Sequence, residues 1–199
     1  MKGTTTVGVI FDKGVILAAD KRATMGSFIA SREVEKVHLL SDRIALTIAG
    51  GVGDAQSLVR LMRAELELYR YQKGEEITIE GAATLLANIL QGNKYYPYFV
   101  QLIVGGVDTE PRLYDLDLFG GLLPEKYTTT GSGSVTAAGL LDEHFHEGMT
   151  EGEAARLAAR SVQAAMRRES NTGDGVDVLV LTKDRAKRYS KEDVAKLLA

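Results

Sequence analysis

Thr47-Ile48-Ala49-Gly50-Gly51-Val52-Gly53-Asp54-Ala55-Gln56 is the stretch where the hydrophobic period of the chain changes. Upstream, Arg43–Ala49 reads as a strand that pairs with Val34–Leu40 around Ser41-Asp42. Downstream, Val52, Ala55, Val59, Met62, Leu66 and Tyr69 recur at three- and four-residue steps, with Asp54 in the first turn, which predicts an amphipathic helix. The glycines therefore lie at a strand-to-helix junction. Backbone N–H groups at such a junction can bind an anion or a developing oxyanion, or the glycines can serve only a tight turn. No Gly-Lys-Ser/Thr follows, so this is not a phosphate loop.

Working outward, Thr5–Phe11 and Val15–Asp20 flank the turn residues Asp12-Lys13-Gly14 and predict a hairpin. A second helix follows Thr78. Strands return at Phe99–Val107, Arg112–Asp117 and Lys126–Thr130. Two helices come next, one after Ser132 and one opened by Thr150, where Thr150-Glu151-Gly152-Glu153 has capping-box spacing. Gly175–Thr182 and Ala186–Tyr189 are strands, and a short helix begins near Ser190. Strands, two helices, strands, two helices, strands: two sheets face to face with a helical layer outside each would bury every apolar face. Runs such as Val176–Leu181, apolar on both faces, suit a strand lying between a sheet and helices.

The 199 residues suit one domain without a linker or low-complexity tract. The net charge of -3 argues against nucleic acid as the main partner. No apolar run is long enough to span a bilayer, and Met1-Lys2-Gly3 leads directly into strand-like sequence rather than a signal peptide. The absence of cysteine excludes disulfides, cysteine catalysis and thiolate metal sites, which fits a cytoplasmic protein.

Several residues can carry chemistry. Thr4 opens Thr4-Thr5-Thr6-Val7-Gly8, and a cut at Gly3–Thr4 would place a free α-amine on the residue that bears the hydroxyl. That amine titrates at about 7.7–8.0, so it can accept the hydroxyl proton near neutral pH. The alternative is a plain edge strand. On the third strand, alternation puts Val34, Lys36, His38 and Leu40 on one face and Glu35, Val37 and Leu39 on the other. Lys36 is then a lysine on a solvated face, or a partly buried one paired with Asp20, which shares a face with Ile16 and Ala18. Gly131-Ser132-Gly133-Ser134 precedes a helix and carries the same two readings as the first glycine cluster. His144 and His146, two apart on an expected helix, make a poor metal pair. No Gly-x-Ser-x-Gly elbow supports a serine hydrolase.

TTTVG from Thr4, Asp20-Lys21-Arg22-Ala23-Thr24, Lys36, TIAGGVGDAQ, the RAELELY helix, YFVQLIVGG, TGSGS and GDGVDV, in this order, resemble the β-type subunits of the 20S proteasome, most closely the archaeal kind. The resemblance implies an α+β fold, the four-layer αββα sandwich of N-terminal-nucleophile hydrolases, and a threonine endopeptidase acting on unfolded proteins without metal or cofactor. It implies that residues 1–3 are a leader removed autocatalytically and that residues 4–199 form one domain. Thr4 would be the nucleophile, Asp20 and Lys36 the acid–lysine pair, Gly50 the oxyanion donor and Ser132 the serine near the threonine amine. Glu169 and Thr172 stand where the family commonly has Asp and Ser. The specificity pocket would be lined by Ala23, Thr24, Val34, His38, Ile48, Val52 and Gln56. With no carboxylate or further cation expected there, it would favour large apolar residues over charged ones, a protonated His38 being the one element able to admit an acidic side chain. The implied partners are α-type subunits, further β-type subunits in a heptameric ring and an ATPase regulatory particle. The rival readings are a non-catalytic or unprocessed β-ring subunit and another N-terminal-nucleophile peptidase such as the bacterial two-component one.

Overall fold

Each sheet of the fold is apolar on both of its faces, and this forces a layered architecture. The computed structural model describes residues 3–199; Met1 and Lys2, the first two residues of the expected leader, lie outside them. The strands β1 (Thr5–Phe11), β2 (Gly14–Asp20), β10 (Tyr127–Gly131), β11 (Val176–Thr182) and β12 (Ala186–Arg188) form one antiparallel sheet in the order β10-β1-β2-β11-β12. The second sheet has the order β5-β6-β7-β8-β9, from β5 (Val37–Leu39), β6 (Ile44–Gly50), β7 (Val100–Val107), β8 (Pro111–Leu116) and β9 (Leu122–Pro124). Helices α1 (Val52–Lys73) and α2 (Ile79–Gly92) cover the outer face of the second sheet. Helices α3 (Ser134–His144), α4 (Glu151–Met166) and α5 (Lys191–Leu198) cover the first. The result is the αββα sandwich that the element order predicts. Among the described residues, no helix is long and apolar enough to cross a membrane.

Alternation assigns the cores. Val7, Val9, Ile16, Ala18, Val178 and Val180 face α3 and α4, while Val15, Leu17, Leu179 and Leu181 face Ala45, Ile103 and Leu113 of the other sheet. Leu46, Ile48, Leu102 and Val104 face Leu58, Met62, Leu86 and Leu90 of α1 and α2. The sheets approach closely at two glycines. A Cβ on Gly8 would lie 2.8 Å from Leu113 Cδ1, and one on Gly105 would lie 2.9 Å from Val15 Cγ1. The capping box opening α4 is present, with Thr150 and Glu153 each accepting the other's backbone N–H.

The structure departs from the sequence expectations in several places, the added edge strand β9 among them. The expected strand Val34–Leu40 pairs only over Val37–Leu39, so simple alternation does not govern Glu33–Lys36. A small hairpin of β3 (Ala23–Met25) and β4 (Phe28–Ser31) is additional; its strands are too short and too exposed to show a hydrophobic period. His146 lies beyond the end of α3, which stops at His144, so the two histidines do not share a helix.

Gly8→Val should lower the stability of the fold by about 1–3 kcal/mol in denaturant unfolding, because the inter-sheet space has no room for the added methyls. A change below about 0.5 kcal/mol would mean that the sheets can part without cost.

Candidate active site

The β-strand β1 begins at the mouth of a cavity of about 590 Å³, walled by Gly3, Thr4, Ala23, Val34, Lys36, His38, Ile48, Gly50, Val52 and Gln56 among others. Thr4 is nearly inaccessible, at 3% exposure, and its hydroxyl donates to the Gly3 carbonyl oxygen at 2.6 Å. Its backbone N–H donates to Ser132 Oγ at 3.2 Å, and Ser132 Oγ in turn approaches Thr4 O at 3.4 Å. Two glycines make this seat possible. A Cβ on Gly3 would overlap Asn171, and one on Gly131, which adopts a φ of +93°, would lie 2.2 Å from Thr4 O.

Beneath the threonine lies a buried charge cluster. Asp20, at the end of β2, is fully inaccessible and accepts four hydrogen bonds. Thr5 N (3.0 Å) and Lys36 Nζ (2.7 Å) reach Oδ1; Arg22 N (3.1 Å) and Gly173 N (3.0 Å) reach Oδ2. Of the two readings open for Lys36, the structure selects the buried, paired one: its side chain is 6% exposed. Burial pushes its ammonium below the ordinary lysine value, and the Asp20 carboxylate opposes that shift. Lys36 is held in place by its backbone, since its carbonyl accepts from Ile48 N at 3.0 Å where the strand pairing has already ended. A chain of buried hydroxyls, Thr47 to Thr6 (3.0 Å) and Thr6 with Thr130 (2.6 Å), ties the two sheets together below the site.

The remaining expected residues are placed as follows. Gly50 lines the cavity with a φ of +149°, and a Cβ there would overlap Phe99 O, so only glycine fits. Thr172 is buried but pairs with Thr5 Oγ1 at 3.0 Å, one residue along from Thr4. Glu169 Oε1 accepts from Asn171 N and Nδ2, each at 3.2 Å, while its buried Oε2 has no partner among the described residues. Thr24 is not part of the cavity wall; it lies under Gly3, whose N–H points to Thr24 Oγ1 at 3.5 Å.

The expectation that the pocket holds no carboxylate or further cation is wrong. Arg22, Glu33, Glu35, Arg60 and Arg63 also line it. Glu35 enters because Glu33–Lys36 is not a strand, so neighbours on both sides of Lys36 can face the cavity. Arg60 and Arg63 were legible in principle: Val52, Gln56, Val59, Arg60 and Arg63 follow one another at helical spacing along one face of α1. His38 is half-buried, and burial keeps its imidazole below the ordinary histidine value.

Residues 1–181 match the proteasome subunit family. The chain belongs to that family. Relatives named proteasome subunit beta include one from Methanocorpusculum labreanum, 50% identical over 97% of this chain and 92% of its own length. Another, from Methanoregula boonei, is 50% identical over 100% of this chain and 94% of the relative. A third, from Archaeoglobus fulgidus, is 46% identical over 100% of this chain and 94% of the relative. The likeness is thus to archaeal β-type proteasome subunits over their nearly full length, and the fold described above agrees with it.

Asp20→Asn should destabilise the protein by about 3–5 kcal/mol in denaturant unfolding, because an amide NH₂ would face donors and Lys36 would be left without its counter-charge. A loss under about 1 kcal/mol would show that Lys36 finds another partner or releases its proton at little cost.

Proposed function

We propose that this protein is the catalytic β-type subunit of a cytoplasmic 20S proteasome core, a threonine endopeptidase whose nucleophile is Thr4. The observation that carries the reading is the hydroxyl of Thr4 held 2.6 Å from the Gly3 carbonyl oxygen, at the wall of a cavity shared with Lys36 and Gly50. In the first stage Thr4 Oγ attacks the Gly3 carbonyl carbon. The Gly3–Thr4 C–N bond breaks, an ester forms on Oγ, and the Thr4 nitrogen leaves as a free amine. Water then hydrolyses the ester, releasing the segment that ends at Gly3.

In the second stage the Thr4 amine, directly or through water, takes the hydroxyl proton as Oγ attacks a substrate carbonyl carbon. The Lys36 ammonium, fixed by Asp20, lowers the cost of the alkoxide and disfavours a second positive charge on the nearby amine. Gly50 N–H receives the oxyanion. Collapse of the intermediate passes the proton to the leaving amine, and water cleaves the acyl ester to regenerate Thr4. Ser132, already hydrogen-bonded to the Thr4 nitrogen at 3.2 Å, orients that nitrogen in both stages. Glu169 and Thr172 act on it at one remove, through the loop that contacts Gly3 and Thr5. Ala23, Val34, Ile48, Val52 and Gln56 form the side-chain pocket, with an apolar floor suited to Leu, Phe or Tyr. Ring assembly with α-type and further β-type subunits, and delivery of unfolded substrates by an ATPase particle, complete the proposal.

Thr4→Ala should retain the fold and its leader while losing peptidase activity to below about one per cent of the parent protein, measured with fluorogenic peptides on the assembled complex. Residual turnover above that level would remove Thr4 from the mechanism. Lys36→Ala should block both leader removal and peptide hydrolysis; normal processing in that variant would reduce Lys36 to a packing role.

A further inference from the structure

Thr4 and Gly50 belong to different sheets: Thr4 immediately precedes β1, and Gly50 ends β6. Their separation is therefore set by whatever ties one sheet to the other at that end of the sandwich. Below the site the Thr47 hydroxyl donates to Thr6 Oγ1 at 3.0 Å, and Thr6 pairs with Thr130 of β10 at 2.6 Å. One residue farther along β10 the tie is a side chain of β7: Gly131 N–H donates to Gln101 Oε1 at 3.1 Å.

Alternation places Gln101 on the face of β7 that looks toward the first sheet, in line with Ile103 and Gly105. Ile103 is fully buried between the sheets, whereas Gln101 is exposed, because the sandwich opens there. Apolar filling thus gives way to a polar side chain at the end of that face. Gln101 does not line the cavity, so its effect on the site passes through its partners.

Both ends of the tie lead to reacting groups. On the first sheet, Gly131 seats the Thr4 carbonyl, and the next residue, Ser132, accepts from Thr4 N at 3.2 Å. On the second sheet, Gln101 stands opposite Ala49, and its neighbour Val100 stands opposite Gly50. Phe99, just before them, grips the glycine turn: its carbonyl accepts from Gly51 N at 2.9 Å, and its N–H donates to Asp54 Oδ2 at 2.8 Å. The start of β7 therefore holds the Gly50–Gly51 turn with its backbone and the Thr4 seat with one side chain.

We propose that Gln101 is a positioning residue for the reaction, fixing the distance between the Thr4 hydroxyl and the Gly50 N–H by holding Gly131 against the start of β7. The inference rests on the Thr4 reading above and adds a residue that touches neither substrate nor reacting atoms. An oxyanion donor acts only when it is aimed at the place where the charge develops, and a displacement of about 1 Å can cost about a hundredfold in rate. The side-chain pocket is walled by Ile48, Val52 and Gln56 from β6 and α1, so substrate binding is expected to be little affected.

The test uses the assembled, processed complex and a fluorogenic peptide ending in Leu. Gln101→Met keeps the length and removes the acceptor, whereas Gln101→Glu keeps an acceptor oxygen. The Met variant should lose about tenfold or more in kcat with KM changed less than about twofold, and the Glu variant should retain most of the parent kcat. A peptide aldehyde, which forms a tetrahedral adduct with the Thr4 hydroxyl, should bind the Met variant more weakly by the factor lost in kcat/KM. The unreactive amide of the same peptide should bind both proteins alike. Because Gln101 is exposed, the melting temperature of the Met variant should stay within about 2 °C of the parent. An unchanged kcat in the Met variant, equal losses in both variants, or a loss expressed in KM or matched by failure of assembly or stability would overturn the inference. The Thr4 reading would survive each of those results; turnover that persists in Thr4→Ala would overturn both.

Discussion

A single buried carboxylate holds the site together. Asp20 has no solvent contact, and its two oxygens collect N–H donors from Thr5, Arg22 and Gly173 as well as the Lys36 ammonium. These groups come from four separate stretches of chain: the start of β1, the turn after β2, the segment before β5 and the loop before β11. An isolated carboxylate in such a place would cost several kcal/mol, and so would an isolated ammonium. Each charge is tolerated because the other is present and because backbone amides complete the shell. The register of Thr4, one residue before a backbone donor to Asp20, follows from that shell rather than from contacts of the threonine alone. The loop that carries Glu169 and Thr172 is held by the same carboxylate through Gly173, and by Arg22, which reaches both Asp174 and the Ser170 carbonyl.

The layered fold and the floor of the site are local to the sequence in a way the rim is not. The switch from period two to period 3.6 at Gly50–Val52 and the apolar runs in β2 and β11 are short-range patterns, and they place Thr4, Lys36 and Gly50 around one cavity. The contact between Lys36 and Asp20 spans 16 residues and was open to inference only as one of two possibilities. What escaped the sequence reading depends on where regular structure stops. Strand pairing ends at Val37, so Glu33 and Glu35 enter a pocket that alternation assigned to one face only. The pairing of Thr172 with Thr5 was not legible because a loop, with no period at all, sets its position.

The site combines a dry floor with a wet, charged rim. Desolvation that lowers the proton affinity of Lys36 also lets its charge act more strongly on neighbouring groups than it would in water, since the same low polarisability governs both. Asp20 limits that effect and keeps the lysine in one conformation. Farther along α1 the cavity reaches the surface at Arg60 and Arg63, both of them exposed.

The central claim is that cleavage before Thr4 creates the nucleophile. It is tested most directly by allowing the assembled protein to react with an electrophilic peptide inhibitor, then measuring intact mass and mapping the adduct. The account predicts a reacted chain that begins at Thr4, with the adduct on that residue. An active, modified chain still carrying Met1-Lys2-Gly3, or an adduct on any other residue, would contradict it.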